Sequence, residues 1–527
     1  MRKIQNPVLK GFAPDPSICR VEDDYYIATS TFEWYPGVQI FHSTDLENWR
    51  IAARPLTRYS QLDLRGRPNS GGIWAPALSY AEGLFYLIYT DVKTWVGSFK
   101  DVHNYLVTAP KIEGPWSEPI YLNSSGFDPS LFHDDDGRKW LLNMVWDHRP
   151  KQNEFGGIFL QEYDSRQQKL VGPAKNIFSG SNLGSTEGPH LYKKDGWYYL
   201  ITAEGSTFTT HAETVARSQQ LDGPYEIMPG NPLITSSHDQ SLLLHSAGHG
   251  SLVEHRDGSW ALVHLCRRPL ANGRSILGRE TAIQNIVWQN GWPRLVSGGR
   301  TPLDTFDAPD LPASPVPELP AREVFDTETL PNHWQAPRVP IDEEMASLNA
   351  RKGYLRLYGR ESIVSLFEQS LIARRQQGFH IEASTCVEFT PESFQQMAGL
   401  VAFYSTESFY YLYLTQAADS KRSLGLMRCA RSELSFPFEK EYPLDGCGQV
   451  FLKLVIKNDR ILFYYSADGE DWNAAGTEYD ASILSDEYAV HCGFTGNFVG
   501  MACQDLTGRR HHADFKYFEC RELIESC

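Results

Sequence analysis

Three carboxylic acids stand at the start of short apolar segments that lie far apart in the chain. Asp15 is found in A-P-D-P-S, Asp128 in F-D-P-S-L and Glu187 in T-E-G-P-H. Two carboxyl groups, one protonated and one ionised, can hydrolyse a glycosidic bond by protonating the leaving oxygen and activating water. A third carboxylate and partial desolvation would keep the acid protonated near neutral pH. We therefore expect the three side chains to work together.

The three acids belong to a pattern that recurs five times in the first 300 residues. In each copy a turn residue starts a short apolar strand, and a charged or Gly-containing turn leads into an aromatic-rich strand. The copies span residues 13–30, 75–90, 127–144, 187–205 and 249–265. Their anchors, taken as Asp15, Ala75, Asp128, Glu187 and His249, lie 60, 53, 59 and 62 residues apart. Five hairpin repeats of this length predict a five-bladed β-propeller.

The propeller turns this spacing into a spatial prediction. The innermost strand of each blade lines the central channel, so equivalent positions converge on the axis. Asp15, Asp128 and Glu187 should therefore face one another at one mouth of the channel. An Asp before a Pro is also common in turns, where its side chain caps the backbone. A purely structural acid should recur in all five repeats, whereas it occurs in three, which favours a catalytic role.

A second domain is expected after a proline-rich stretch. Residues 301–325 hold six prolines, and such a segment is extended rather than part of a regular element. Beyond it, aromatic or β-branched runs alternate with turns such as K-N-D-R and A-D-G-E, a pattern typical of an antiparallel β-sandwich. The predicted organisation is all-β: a five-bladed propeller over residues 1–305, a linker over 306–321 and a sandwich over 322–527.

Composition limits the classes of partner. The chain of 527 residues has a net charge of −16, so nucleic-acid binding through phosphate contacts is not expected. No run of about 18 apolar residues predicts a membrane span, and MRKIQNPVLKGF lacks the apolar stretch of a secretory signal. The nine cysteines are scattered without C-x-x-C spacing. We therefore expect reduced thiols and a cytoplasmic protein.

One residue, His249, is a candidate metal ligand. His249 opens the fifth repeat, where it could be structural or could line the channel and hold water or a divalent cation such as Ca²⁺. The run H-D-D-D-G at residues 133–137 lacks the ligand spacing of a Ca²⁺ loop and is predicted to be a hairpin turn. Motifs such as G-x-G-x-x-G and Walker A are missing. No cofactor is expected to be required.

Aromatic and basic residues beside the anchors are candidates for sugar binding. Trp74 precedes the second anchor, Phe127 precedes the third, and Phe32 follows the first aromatic strand. Each could be plain core packing, but Trp74 and Phe127 adjoin positions expected to line the channel. Arg279 in L-G-R-E-T-A-I-Q could form a surface ion pair or bind hydroxyl groups, and the pattern leaves both open.

These segments resemble glycoside hydrolase family 43, in particular its β-xylosidase members with a C-terminal sandwich. The matching stretches are NPVLKGFAPDPSICR, STFEWYPGVQIFHSTDLENW, GGIWAPAL, GFDPSLFHDDDG, STEGPHLY, SAGHGSLVE, LGRETAIQ, GFTGNFVGMACQDLTG and ADFKYF. The resemblance spans essentially the whole chain. It implies a five-bladed propeller and an inverting mechanism. Asp15 is then implied to be the general base, Glu187 the general acid, and Asp128 the carboxylate that raises the pKa of the acid and orients it.

The resemblance also implies roles for residues that bind the sugar. Arg279 is implied to hydrogen-bond sugar hydroxyls near the carboxylates. Phe32, Trp74 and Phe127 resemble the apolar wall of the subsite for the terminal sugar, and Thr207 is implied to lie near the acid.

The sandwich is implied to contribute a lid to the site. In relatives, a loop of this domain covers the propeller mouth with an aromatic residue, for which Phe498 in T-G-N-F-V-G-M is the candidate. A covered mouth makes a blind pocket, which implies removal of terminal xylose from β-1,4-linked xylo-oligosaccharides, with α-L-arabinofuranosidase side activity. Relatives also imply a homo-oligomer, dimeric or tetrameric.

Other functions remain to be weighed. One is a dedicated α-L-arabinofuranosidase or arabinanase, against which the lid argues because it would close an open cleft. Another is a non-catalytic carbohydrate-binding propeller or a scaffold for protein partners. A binding module is expected to lose a carboxylate, whereas all three are present here.

Overall fold

The computed structural model describes residues 2–97, 99–419, 421–444, 448–491 and 493–523. The regular secondary structure of these residues is almost entirely β, and the helical segments among them are two 3₁₀ turns, Ala481–Ile483 and Asp486–Tyr488. The predicted all-β class is confirmed. No helix within the described ranges is long and apolar enough to cross a membrane.

Five antiparallel sheets form the blades of a propeller, as predicted, and each starts at its innermost strand. Blade 1 consists of Ser17–Val21, Asp24–Thr29, Gln39–Ser43 and Arg50–Ala53. Blade 2 consists of Gly72–Ala81, Leu84–Val96, Phe99–Ala109 and Ile120–Asn123. Blade 3 consists of Ser130–His133, Lys139–Trp146, Phe155–Asp164 and Lys169–Phe178. Blade 4 consists of Glu187–Lys194, Trp197–Glu204, Ala212–Ser218, Glu226–Ile227 and Ile234–Thr235. Blade 5 consists of His245–Glu254, Trp260–Arg267, Arg279–Gln289 and Trp292–Leu295.

Tight turns join the first two strands of the blades, as the E-G and D-G dipeptides predict. Glu82–Gly83 and Asp195–Gly196 have positive φ at both residues, the geometry of the type I′ turn that matches strand twist. Residues 134–138 form the hairpin turn of blade 3, between the paired His133 and Lys139, with Gly137 at a φ of 82°. The predicted hairpin turn is confirmed, with His133 as the last residue of the strand before it.

The ring closes between blades 5 and 1. Inner strands of neighbouring blades are in contact around the ring, and the N–H of Ile18 donates to Oγ of Ser251 at 2.9 Å. Lys3–Gln5 pairs with Thr305–Asp307, and Phe306 is buried in the same cluster as Ile4. This burial extends the propeller two residues into the predicted linker.

The second domain is a sandwich of two antiparallel sheets, as predicted. The outer sheet runs Ala346–Ser347, Leu355–Tyr358, His512–Glu522, His380–Glu388, Val450–Lys457, Arg460–Ser466 and Asn473–Asp480, with Arg322–Glu323 on His512–Glu522. The propeller-facing sheet runs Leu371–Arg375, Phe498–Asp505, Gln396–Ser405, Ser408–Gln416, Arg422–Ala430 and Glu433–Ser435, with Tyr442–Pro443 on Arg422–Ala430.

The two domains share apolar clusters. Ile276 and Leu277 of the propeller are buried in the core of the sandwich. Trp34 stacks on Phe498 with ring centroids 3.6 Å apart, and Trp34–Tyr35 pairs with Ala336–Pro337. The sandwich is therefore fixed against the propeller beside the channel mouth.

The expectation of reduced thiols concerns nine cysteines. The described cysteines are free thiols: Cys19, Cys266, Cys386, Cys429, Cys503 and Cys520. Cys447, Cys492 and Cys527 lie outside the described residues.

Candidate active site

A pocket of about 330 Å³ lies at the mouth of the propeller channel. All three predicted carboxylates line it, so the convergence expected from the repeats is found. The full lining consists of Asp15, Phe32, Trp74, Trp95, Lys100, Phe127, Asp128, Trp146, Glu154, Phe155, Ser185, Glu187, Ser206, Thr207, Phe208, His249, Arg279 and Phe494.

The backbone at the start of the inner strands corrects the predicted alignment of the repeats. Positive φ values recur once per blade, at Asp15, Ala75, Asp128, Gly188 and His249, with 53°, 34°, 53°, 57° and 47°. The anchor of the fourth repeat is therefore Gly188, and the choice of Glu187 was wrong by one residue. Glu187 occupies the position that Trp74 and Phe127 hold in blades 2 and 3. Left-handed backbone is costly for residues other than Gly, and such strain is often kept at functional sites.

Asp15 is held as an ionised carboxylate. Nη1 of Arg279 donates to its Oδ1 at 2.6 Å, and Oγ of Ser30 donates to its Oδ2 at 2.6 Å. Burial alone would raise the pKa of Asp15, but the charge of Arg279, the neighbouring His249 ring and the bond from Ser30 lower it. A carboxylate that stays ionised across the neutral range is suited to accept a proton from water.

Glu187 and Asp128 have the opposite electrostatic character. Burial, followed by repulsion from the charge of Asp15, raises the pKa of Glu187 to about 8. Burial and the neighbouring charges of Glu187 and Asp15 raise the pKa of Asp128 well above its ordinary value. The N–H of Gly188 donates to Oδ2 of Asp128 at 3.0 Å, which fixes this carboxyl group beside Glu187. The site thus combines a carboxylate on one side with a protonated carboxyl group on the other.

His249 lines the pocket beside Asp15. Its Nδ1 lies 3.8 Å from Oδ1 of Asp15, and a Cβ on Gly188 would lie 3.0 Å from its Nε2. Glycine is therefore needed at the fourth anchor. Burial lowers the pKa of His249, so the ring is neutral near pH 7. Asp128, Glu187 and His249 could each offer one ligand atom to a cation, because these atoms lie within 4.8 Å of one another.

Arg279 is buried rather than part of a surface ion pair. Besides binding Asp15, its Nη2 donates to the backbone oxygen of Phe494 at 3.3 Å. Its guanidinium carbon lies 5.3 Å from the ring centre of Phe32 and 5.2 Å from that of Phe494. Arg279 therefore joins the carboxylate to the aromatic wall and to the sandwich domain.

The predicted aromatic residues form a continuous wall. Ring centroids of Phe32 and Trp74 are 6.2 Å apart, and those of Trp74 and Phe127 are 5.4 Å apart in an edge-to-face contact. Thr207 lines the pocket too, and its buried hydroxyl has no protein partner. The wall offers an apolar surface to one face of a sugar ring, and Thr207 offers a hydroxyl.

Phe498 does not line the pocket, so its prediction as the lid residue was wrong. It is fully buried, stacks on Trp34 and contacts Phe12 edge-to-face at the domain interface. Phe494 enters the pocket instead, against Phe32 and Trp95 at centroid distances of 5.9 and 5.8 Å. Phe498 opens the strand Phe498–Asp505, where its side chain must pack on the sheet. Phe494 lies in the loop before it, between Gly493 and Gly496, and these glycines were the signal for the exposed loop residue.

Sequence reasoning also missed the outer part of the pocket. Trp95 and Lys100 come from the hairpin of Leu84–Val96 and Phe99–Ala109, which is longer than the other hairpins of the propeller. Trp146 and Phe155 come from blade 3, with rings in edge-to-face contact at 5.3 Å. The unequal length of the blade 2 strands was the available signal, since a hairpin that overhangs a blade reaches past the channel mouth.

We expect Phe494→Ala to raise KM for a small glycoside about tenfold, equivalent to about 1.4 kcal/mol, while kcat changes much less. The ring contacts the pocket wall but no carboxylate, so its loss removes binding surface rather than catalytic groups. Steady-state kinetics measures both constants. Phe394→Ala is the matched control, because Phe394 lies on the same domain and is 68% exposed. An equal change in KM for both variants would contradict the assignment.

A propeller whose channel holds a low-pKa carboxylate opposite a high-pKa carboxyl group, under a lid from a second domain, defines an acid–base hydrolase. Residues 4–293 match the family described as Glycosyl hydrolases family 43. Residues 322–521 match the Beta xylosidase C-terminal Concanavalin A-like domain. The chain therefore belongs to glycoside hydrolase family 43, and the resemblance seen in the sequence is confirmed.

Individual relatives cover the chain almost completely. The protein named Beta-xylosidase from Bacillus subtilis (strain 168) is 49% identical, covering 99% of this chain and 100% of its own. Xylosidase/arabinosidase 43B from Humicola insolens is 50% identical, covering 99% and 98%. The crystal structure of xylan beta-1,4-xylosidase from Bacillus halodurans C-125 superimposes with a TM-score of 0.97 at 55% identity, covering 98% and 100%. The similarity includes both domains.

Proposed function

We propose that this chain is an inverting, exo-acting β-xylosidase that removes terminal D-xylose from β-1,4-linked xylo-oligosaccharides. The observation that carries the proposal is the pair of opposed carboxyl groups, with a lowered pKa at Asp15 and a pKa of about 8 at Glu187. Relatives that match over the full chain bear xylosidase names, which supports xylose as the sugar.

In this proposal Asp15 and Glu187 each transfer one proton. Asp15 takes a proton from water, whose oxygen attacks the anomeric carbon as the glycosidic C–O bond breaks. Glu187 gives its proton to the departing oxygen, so the leaving sugar departs as an alcohol. Asp128 orients Glu187, because its carboxyl group is fixed beside Glu187 by the N–H of Gly188. Burial and the charge of Asp15 raise the pKa of Glu187. Arg279 holds Asp15 and binds hydroxyl groups of the sugar.

The shape of the pocket supports exo action. Its volume of about 330 Å³ is near the lower limit of pockets for small ligands, roughly 300–1,000 Å³. Phe494 covers one side and the blade 2 hairpin supplies Trp95 on another. We infer that one terminal xylose and its neighbour are accommodated, whereas an internal segment of a polymer is excluded.

We propose α-L-arabinofuranosidase activity as a side reaction of the same pocket. One relative is named as a xylosidase/arabinosidase, and the two sugars can present their hydroxyls alike to Arg279. A dedicated arabinofuranosidase is the second candidate. The ratio of kcat/KM on 4-nitrophenyl β-D-xyloside to that on 4-nitrophenyl α-L-arabinofuranoside distinguishes it from a β-xylosidase. An open-cleft arabinanase fits less well, because Phe494 closes the cleft.

We propose that the chemistry needs no metal ion. The ligand atoms of Asp128, Glu187 and His249 could hold a divalent cation such as Ca²⁺. A cation there would favour the ionised form of Glu187 and lower its pKa, against its role as the acid. Because the carboxylates themselves activate the water, kcat after EDTA dialysis is expected to stay within about twofold of the untreated value. A large loss that added Ca²⁺ restores would contradict this, and dialysis without EDTA is the control.

We further propose a cytoplasmic location and a homo-oligomer, dimeric or tetrameric. The cysteines with free thiols support a reducing compartment, and the oligomer rests on the resemblance alone. Light scattering of the purified protein measures the mass of the assembly.

The stereochemical outcome tests the proposed reaction most directly. 4-Nitrophenyl β-D-xyloside, whose only sugar product is the xylose freed at the broken bond, is mixed with the enzyme in an NMR tube, and the first anomer of xylose to appear is recorded before mutarotation. We expect α-xylose first, because water attacks the face opposite the leaving group. Appearance of β-xylose first would exclude the inverting mechanism. Failure to cleave xylobiose or either 4-nitrophenyl glycoside would favour the non-catalytic carbohydrate-binding module.

A further inference from the structure

An ion pair between the two domains lies behind the pocket. Nη2 of Arg267, the last residue of Trp260–Arg267 in blade 5, lies 3.2 Å from Oδ2 of Asp486 in the sandwich. The two side chains are 3% and 0% exposed. The hydroxyl of Tyr404 donates to the other carboxylate oxygen of Asp486 at 2.7 Å. Breaking such a buried pair is costly, because one charge is left uncompensated.

On the propeller side, Arg267 contacts the wall of the pocket. Its guanidinium carbon lies 4.8 Å from the ring centre of Phe208, which lines the pocket beside Thr207. Arg267 is also paired with Arg279 in the antiparallel ladder. Two neighbouring arginines repel one another unless each has its own acidic partner. Asp15 is the partner of Arg279, whereas Asp486 and Glu487 are the partners of Arg267. Arg267 therefore does not compete for the catalytic carboxylate.

On the sandwich side, Asp486 and Tyr404 support the loop that carries Phe494. We define residues 493–497 as the lid loop. A Cβ on Gly493 would clash with the hydroxyl of Tyr404 and with Cα of Asp486, so the loop rests directly on these residues. Phe494 follows, and its N–H donates to Oγ of Ser70 at 3.1 Å.

We propose that Arg267, Asp486 and Tyr404 form an interdomain clamp that positions Phe208 and Phe494 on two sides of the pocket and thereby sets the affinity for the terminal sugar. None of the three lines the pocket, so they are positioning residues. The inference rests on the proposed function for the identity of the sugar as xylose.

The test uses the full-length protein and a readout that does not require turnover. Trp74, Trp95 and Trp146 line the pocket, so quenching of tryptophan fluorescence by D-xylose measures its Kd. For Asp486→Asn and Tyr404→Phe we expect Kd for xylose and KM for 4-nitrophenyl β-D-xyloside to rise about five- to tenfold. We expect kcat to change less than about twofold, since the carboxylates are untouched. Arg256→Met is the control, because Arg256 is an arginine of blade 5 whose side chain is 77% exposed.

A double-mutant cycle separates positioning from general destabilisation. If the clamp acts through Phe494, then Asp486→Asn should add little to the loss already caused by Phe494→Ala. Additive losses, or an unchanged Kd in variants with a normal melting curve, would overturn the proposal. If Asp486→Asn does not fold, Tyr404→Phe decides, since it removes one hydroxyl group. A wild type that binds xylose but cleaves no xyloside would refute the proposed function while leaving the clamp measurable.

Discussion

Replacing Asp15 by Asn is expected to lower kcat on every xyloside about a thousandfold, because the change removes the base that activates water. The loss should be similar for xylobiose and 4-nitrophenyl β-D-xyloside, since both reactions need the same nucleophile. Asn keeps the size of the side chain and can still contact Ser30 and Arg279, so the fold should be retained. Steady-state kinetics on both substrates, with circular dichroism to confirm folding, makes the measurement.

The control for Asp15→Asn is a substitution at an exposed acid. Asp23→Asn alters an acid of the same blade whose side chain is 61% exposed, and it should leave kcat unchanged. If Asp15→Asn kept most of the activity, then another group would have to activate water, and the base would need to be reassigned. Equal losses in both variants would show that the measurement reports folding instead.

Replacing Glu187 by Gln is expected to produce a loss that depends on the leaving group. Xylobiose needs a protonated leaving oxygen, so its kcat should fall about a thousandfold. 4-Nitrophenolate departs without full protonation, so the 4-nitrophenyl xyloside should lose much less. Glu254→Gln is the control, because Glu254 is the exposed last residue of an inner strand, His245–Glu254. A loss of the same size on both substrates would exclude Glu187 as the acid.

The dependence of activity on pH independently tests Glu187 as the acid and Asp15 as the base. Glu187 works in its protonated form, and its pKa is raised to about 8. Activity on xylobiose should therefore be full below that value and fall as the pH rises through about 8. Asp15 works in its ionised form, and its pKa is lowered, so the base should remain active on the acid side of neutrality. Glu187→Gln should remove the alkaline fall on the 4-nitrophenyl xyloside, and its persistence would assign that pKa to another group.

Much of the fold could be predicted because its signals are local and repeated. Alternating apolar residues and E-G or D-G turns specify hairpins, and five copies of such a unit specify a ring. The same repetition brought Asp15 and Asp128 to the channel mouth, since each precedes a proline at the start of an inner strand. Glu187 was placed in the right pocket for a less accurate reason, because Gly188 holds the equivalent backbone position.

The remaining errors concern segments whose direction is set by tertiary contacts. Phe494 and Phe498 are four residues apart, and the choice between them depends on where the strand Phe498–Asp505 begins. The contributions of Trp95 and Trp146 depend on how far hairpins of two blades overhang the channel. Such features arise from packing between elements that are distant in sequence, and no local pattern encodes them.

The burial of Ile276 and Leu277 in the core of the sandwich has a consequence for modularity. These residues lie just before Arg279, so the segment that leads to a catalytic-site arginine is also part of another domain's interior. A propeller cut free at the linker would expose this apolar surface to water and lose Phe494 in the same step. The two domains therefore have separate architectures but are expected to unfold together, and the smallest catalytically active unit is expected to contain both.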